Sequence, residues 1–189
     1  MVWPKRLEDA ILVAPENPTS AADARDAAFR RFTQGRLDYA YRLAAFVLRD
    51  DDEAQDVVHD AAVQAWLHWK ELRDPVRMDA WFDKIVVNGC RASMRRRRVR
   101  VLDPASVATE AHDAFAELDD RDVLRRALAT LDADHRIPIV LRYVMDLTPA
   151  EIAIRTGERE GTIKSRLHYA LRQMRAALEA AERTPGGLR

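Results

Sequence analysis

Apolar residues recur along most of this chain at intervals of three and four, the spacing that gathers them on one side of a helix. Between about 24 and 48, Phe29, Phe32, Leu37, Tyr41, Ala44, Ala45 and Leu48 predict one long helix or two consecutive ones. A second stretch, about 52–72, turns Val57, Val58, Ala61, Ala65 and Trp66 inward. "RDPVR" (73–77) breaks it, because proline disfavours helix at its predecessor. A third helix, about 78–98, buries Trp81, Phe82, Ile85 and Val86. Four pieces follow, about 120–130, 133–145, 149–156 and 160–182. Pro138 falls inside the second of these and is expected to kink it, since its missing N–H removes one hydrogen bond.

Between these runs the pattern fades. Residues 101–119 are small, acidic and weakly periodic, which suits a linker. Residues 1–23 carry Pro4, Pro15 and Pro18 and read as a mobile extension, although Trp3, Leu7 and Ile11 could make a short apolar face. Residues 183–189 read as a frayed tail. Glycine is scarce and alternating β-branched runs are absent. The expected fold is therefore all-α: two small helical domains, 24–100 and 120–182, joined by a flexible linker.

The last two helical pieces carry a finer signal. In "LTPAEIAIRTG", Thr148 can cap a helix, Pro149 suits its first turn, and Glu151 completes a T-x-x-E capping box. Ile152 and Ala153 supply its inner face, and Gly157 ends it where a left-handed residue costs little. A three-residue turn then leads into "GEREGTIKSRLHYALRQMR" (157–175). There Ile163, Leu167, Ala170, Leu171 and Met174 form an apolar stripe, opposite Gly161, Lys164, Ser165, His168, Arg172 and Arg175. A capped short helix, a glycine turn and a longer helix with a basic polar face make a helix-turn-helix. In that motif the first turns of the second helix meet base edges in the major groove. Lys164, Ser165 and His168 lie where such contacts fall, and Arg166 and Arg172 are placed to flank them on phosphates. A helical hairpin with a merely solvated basic face is the competing reading, and the capping box and turn weigh against it.

Charge divides the chain further. The formal net charge is zero, which by itself argues against nucleic acid. Yet "LRDDDEAQDVVHD" (48–60) is acidic and "CRASMRRRRVR" (90–100) is strongly basic. Separated blocks of this kind suggest partners of different sign, or weak DNA binding by the isolated chain. Cys90 is the only cysteine, so no internal disulfide can form and a reducing compartment is the natural expectation. No apolar run approaches the roughly 20 residues that span a bilayer, and the first residues lack the order of a signal peptide. A cytoplasmic protein without membrane insertion is expected.

"EIAIRTGEREGTIKSRLHYALRQMR" resembles the fourth-domain helix-turn-helix of extracytoplasmic-function (ECF) sigma factors, above all in its G-T-I-K-S-R-L-H core. The preceding "LRRALATLDADHRIPIVLRYVMDLT" is similar to that domain's opening helices. LuxR-type regulators share the G-T-hydrophobic-K-S run, so the N-terminal half decides. There "DDEAQDVVHDAAVQAW" (51–66) resembles the second-domain signature of sigma factors, and "MDAWFDKIVVNGCRASMRRRRVR" (78–100) resembles the helix that follows it. The likeness covers roughly residues 25–98 and 120–178, in the family's order.

The resemblance implies a role for each part. The partners would be core RNA polymerase, through its β and β′ subunits, promoter DNA, as duplex at −35 and single strand at −10, and an anti-sigma factor. Asp56 and Asp60, four apart on one helix face with His59 beside them, would dock on a basic polymerase surface; a solvated acidic face is the plain alternative. Asn88 matches the asparagine at the base pocket for the displaced −10 strand, near the loop at 72–78. Arg95, Arg96, Arg97 and Arg98 would hold phosphates. Arg159, Thr162, Lys164, Ser165, Arg166, His168 and Arg172 would engage the −35 element. Trp66, Trp81 and Phe82 fit the core better than stacking platforms on their spacing, and Trp69 is left open.

Several positions depart from the family pattern. Glu158 stands where an apolar turn residue is usual, and Tyr169 replaces a frequent arginine. Arg91 and Ala92 stand where a hydrophobic–aspartate pair is common. Catalysis finds no support. The five histidines show no metal spacing with Cys90 or with each other, and neither a phosphate loop nor a nucleophile elbow is present. The expected protein is a sigma factor, not an enzyme, with no cofactor and no metal. A DNA-binding regulator acting with another sigma factor, or a helical protein-interaction adaptor, are the alternatives.

Overall fold

The structure, a computed structural model, describes residues 21–69, 75–101 and 120–183. Most of the N-terminal extension, residues 73 and 74 of the expected break, nearly all of the linker and most of the tail lie outside the described residues, whereas Pro75, Val76 and Arg77, expected in the break, already belong to the third helix. Seven α-helices make up the described parts: α1 (Ala21–Leu48), α2 (Asp51–His68), α3 (Pro75–Val101), α4 (Asp120–Ala129), α5 (Ala133–Tyr143), α6 (Pro149–Thr156) and α7 (Glu160–Arg183).

The first three helices form one bundle. Where the pattern allowed two helices, α1 runs unbroken through Gly35, around which there is open space. It stops at Arg49, which takes a left-handed φ of 59° and donates its N–H to Ala45 at 2.8 Å. Asp50 then caps α2 by accepting from the Glu53 N–H at 3.0 Å. Asp51, Asp52 and Glu53 follow in the first turn, where negative charge suits the helix dipole. Val58, Ala65, Phe82 and Val86 are fully enclosed among the three helices.

An aromatic chain closes one end of this bundle. Phe29 meets Trp66 and Trp69 at 5.1 Å each, Phe32 meets Trp69 at 5.3 Å, and Phe32 meets Phe82 at 5.7 Å. Trp69 therefore packs against the core. At the other face of α2, a Cβ built on Gly89 would come within 2.8 Å of Val57 Cγ1, so α3 approaches α2 closely there.

The last four helices form the second domain. Asp132 caps α5, and the buried Pro138 lies inside that helix, where it has no N–H to offer the carbonyl four residues back. Leu147, Ile152, Ile163, Leu167, Ala170 and Met174 are buried among α5, α6 and α7. Gln173 fastens α7 to the α4–α5 turn by donating to the Thr130 carbonyl at 2.6 Å. The two domains also touch: α5 lies against α1 and α3, and α6 lies against α3. Arg136, on α5 and 8% exposed, donates to the carbonyls of Val47 at 2.8 Å, Leu131 at 2.7 Å and Ala129 at 3.3 Å.

Candidate nucleic-acid interface

The helix-turn-helix is built by short-range chemistry. Thr148 Oγ1 accepts from the Glu151 N–H at 3.3 Å, and Glu151 Oε2 accepts from the Thr148 N–H at 2.8 Å and its hydroxyl at 2.7 Å. These bonds from Thr148 hold the Glu151 carboxyl below its usual pKa. Gly157 takes φ 72° and ψ 30° and closes α6 through its N–H to Ala153. Residues 157–159 form the turn, and α7 starts with the Ile163 N–H donating to Arg159 at 3.2 Å.

The inner face of α7 differs from the expected stripe at one position. Ile163 and Ala170 are fully enclosed and Leu167 and Met174 nearly so, but Leu171 is 41% exposed. It lies about 100° around the helix from Ala170, which puts it on the margin of the stripe rather than in it.

Lys164, Ser165, His168, Arg172 and Arg175 are all exposed, as are Arg159 and Thr162 in the turn and at the helix start. Ser165 spends its hydroxyl proton on the Gly161 carbonyl at 3.0 Å, so it presents acceptor lone pairs outward. Lys164 pairs with Glu160 at 2.7 Å along the helix. His168 meets the exposed Tyr169 ring at 5.7 Å. Arg166 differs from these. It is only partly exposed, and its guanidinium lies 2.5 Å from Glu158 and 3.5 Å from Asp134.

On α3, Lys84, Asn88, Arg91, Arg95 and Arg98 recur at helical spacing along one face. Asn88, Arg95, Arg96 and Arg98 are exposed and Arg97 is half-buried. On α2, Asp56, His59 and Asp60 are exposed on the side opposite Val58, Ala61 and Ala65. The same face continues through Val63, 45% exposed, and Leu67, 67% exposed. Sequence reading missed these two. They follow Asp56 and Asp60 by seven positions each and fall outside the inward set, and that was the available signal.

Sequence reading also missed the charged groups that join the domains. Asp83 is wholly buried on α3, where it accepts from Arg36 on α1 and from Arg155 Nε on α6 at 2.8 Å. Burial raises its carboxyl pKa, and the two guanidinium groups pull the other way. Its spacing to Val86 and Cys90 placed it near the buried side of α3 and could have flagged it. Cys90 is enclosed, and burial pushes its thiol up to about 12. Among the described residues, no three of His, Cys, Asp and Glu gather as a metal site. No helix there is long and apolar enough to cross a membrane.

Known proteins share this arrangement. The family model for Sigma-70 region 2 matches residues 29–100, and that for Sigma-70, region 4 matches residues 121–174. The RNA polymerase sigma factor SigV of Bacillus subtilis is 33% identical over 77% of this chain and 87% of its own length. The ECF RNA polymerase sigma factor SigL of Mycobacterium tuberculosis is 31% identical over 85% of this chain and 94% of its own. The solved sigma factor RpoE of Bartonella quintana, in complex with the anti-sigma factor NepR, superposes with a TM-score of 0.66. It is 27% identical, over 80% of this chain and 97% of that one. Both sigma regions stand here in order, and the relatives are spanned almost end to end. The chain belongs to the extracytoplasmic-function sigma factors, which direct RNA polymerase in transcription initiation.

Proposed function

We propose that this sigma factor divides its work between the domain at 24–100 and the domain at 120–182. In the first, Asp56, His59 and Asp60, extended by Val63 and Leu67, dock on core polymerase. Asn88 captures an unpaired −10 base, with Arg95 to Arg98 on phosphates. In the second, Lys164, Ser165 and His168 read the −35 duplex from the major groove, with Arg159, Thr162 and Arg172 beside them. The observation that carries this reading is the exposed polar stripe of α7, set on a capped helix-turn-helix in a chain that also holds region 2. Chemistry belongs to the polymerase, so the chain itself is no enzyme, and its place is the cytoplasm where the polymerase works. An anti-sigma factor is a further proposed partner, as the Bartonella relative was solved with one.

Purified core polymerase given this chain should transcribe a subset of a genomic DNA library, and core polymerase alone should not. Tight, sequence-specific duplex binding by the free chain at moderate salt, with no transcription, would instead identify a conventional DNA-binding regulator. Within the promoters recovered, Lys164→Ala and Ser165→Ala should each weaken use of the −35 element. A good base contact is worth about 1–3 kcal/mol, whereas a lost phosphate contact weakens all sequences alike. The comparison is transcription from promoters with an intact or a scrambled −35 element. Equal losses on both would remove these residues from base reading.

A further inference from the structure

The polar side of α7 carries one group that charge does not explain. Tyr169 is 58% exposed, among Thr162, Ser165 and Arg172. It follows Ser165 by four positions and Thr162 by seven, so the three line one side of the helix. Its ring meets that of His168 edge-on, at 5.7 Å and 73°. Position 169 is also one at which this chain leaves the family pattern.

Direction matters here as much as position. A helical side chain leans toward the helix N-terminus, so the Tyr169 ring covers the turn that holds Ser165 rather than the turn beyond it. In a helix-turn-helix the early turns of the second helix are those that meet base edges. The neighbours on this side offer charge and hydrogen bonds. Lys164 and Arg172 donate, and Ser165 presents lone pairs because its proton serves the Gly161 carbonyl. Tyr169 adds an apolar edge. In the major groove the apolar counterpart of such an edge is the C5 methyl of thymine. His168 rests against the ring and narrows its swing, which lowers the entropy lost when the ring is ordered on a base.

We propose that Tyr169, braced by His168, reads a thymine methyl in the −35 duplex. The inference rests on the assignment of α7 to that duplex, and adds to it one residue and one base. Its driving force is the removal of ring and methyl from water. This part of recognition should therefore persist at salt concentrations that weaken the phosphate contacts.

The test uses the full chain assembled with core polymerase, on a promoter recovered from the genomic library. Each thymine of its −35 element is replaced in turn by deoxyuridine, which removes the methyl and leaves every hydrogen-bonding group in place. At one position this should lower the apparent promoter affinity of the wild type about fourfold, the worth of one carbon taken out of water. Tyr169→Ala should lose at least as much on the thymine template and should no longer distinguish thymine from uracil. Tyr169→Phe keeps the ring and should keep the discrimination. The position is exposed and alanine favours helix, so neither variant should disturb the fold. Indifference of the wild type to every replacement, or undiminished discrimination in Tyr169→Ala, overturns the inference. Equal losses by Tyr169→Phe on both templates also overturn it, because they identify a phosphate contact through the hydroxyl. Affinity that survives scrambling of the whole −35 element would instead refute the assignment of α7, so the two failures are distinct.

Discussion

Asp56→Arg combined with Asp60→Arg is expected to abolish promoter-directed transcription by removing affinity for core polymerase. Both carboxylates are exposed on α2, and the packing of that helix rests on the opposite side, on Val58, Ala61 and Ala65. The fold should therefore be untouched. Against a basic docking surface, the change replaces attraction with like-charge contact, which costs several kcal/mol. At about 1.4 kcal/mol per decade, that is roughly a hundredfold or more in affinity. Leu67→Asp should weaken binding in the same direction by wetting the apolar end of the face. The measurement is competition for core polymerase between variant and wild type, beside a far-ultraviolet circular dichroism spectrum. Unchanged affinity with a normal helical spectrum would mean that this acidic face is only solvated.

The largest loss of stability should follow Arg136→Met. Its guanidinium serves the C-terminal carbonyls of two helices at once, Val47 in α1 and Ala129 in α4, together with Leu131. Those carbonyls have no partner within their own helices, and a cation there also suits the helix dipoles. Burial lowers the Arg136 pKa to about 10, with Arg49 and Arg97 adding to the effect, so the group stays charged at neutral pH. Methionine keeps most of the volume and strands the carbonyls, each at about 1–3 kcal/mol. A total near 3 kcal/mol should lower the melting temperature by about 6–12 °C. Lysine should not rescue it, because a single ammonium cannot present the planar fork of donors that spans three acceptors. A melting temperature within a degree or two of wild type would show that water replaces the guanidinium at no cost.

What the sequence made legible was local. The Thr148–Glu151 box, the Gly157 cap and the four C-terminal helices depend on contacts within three or four residues, and those are written in the order of the chain. The long α1 was ambiguous because Gly35 weakens a helix by about 1 kcal/mol, a deficit that packing against α2 and α3 overrides. The sequence reading leaves Trp69 open, although it follows Ala65 by four and Trp66 by three and keeps helical dihedrals at the end of α2, so helical phase already turns it inward. Contacts between the domains were illegible for a different reason. Arg155 reaches Asp83 across 72 positions, and Arg91 reaches Glu158 across 67. A chain that is one-third charged offers many such pairings, and nothing in the order of residues selects one. The site residues on α2, α3 and α7 could be named because motif and helical phase identify exposed faces. Val63 and Leu67 escaped because apolar residues are assigned inward by default.

The close approach at Gly89 makes α2 and α3 a gauge block. Val57 fills the space that any other residue at 89 would claim, and its branched side chain has few ways to retreat. Asp56 precedes Val57 and Asn88 precedes Gly89, so each proposed site lies one residue from the point where the helices touch. The separation between the proposed polymerase surface and the proposed base pocket is then set by the close packing of α2 on α3. Sliding either helix to change that separation would require Val57 to leave the space it fills beside Gly89.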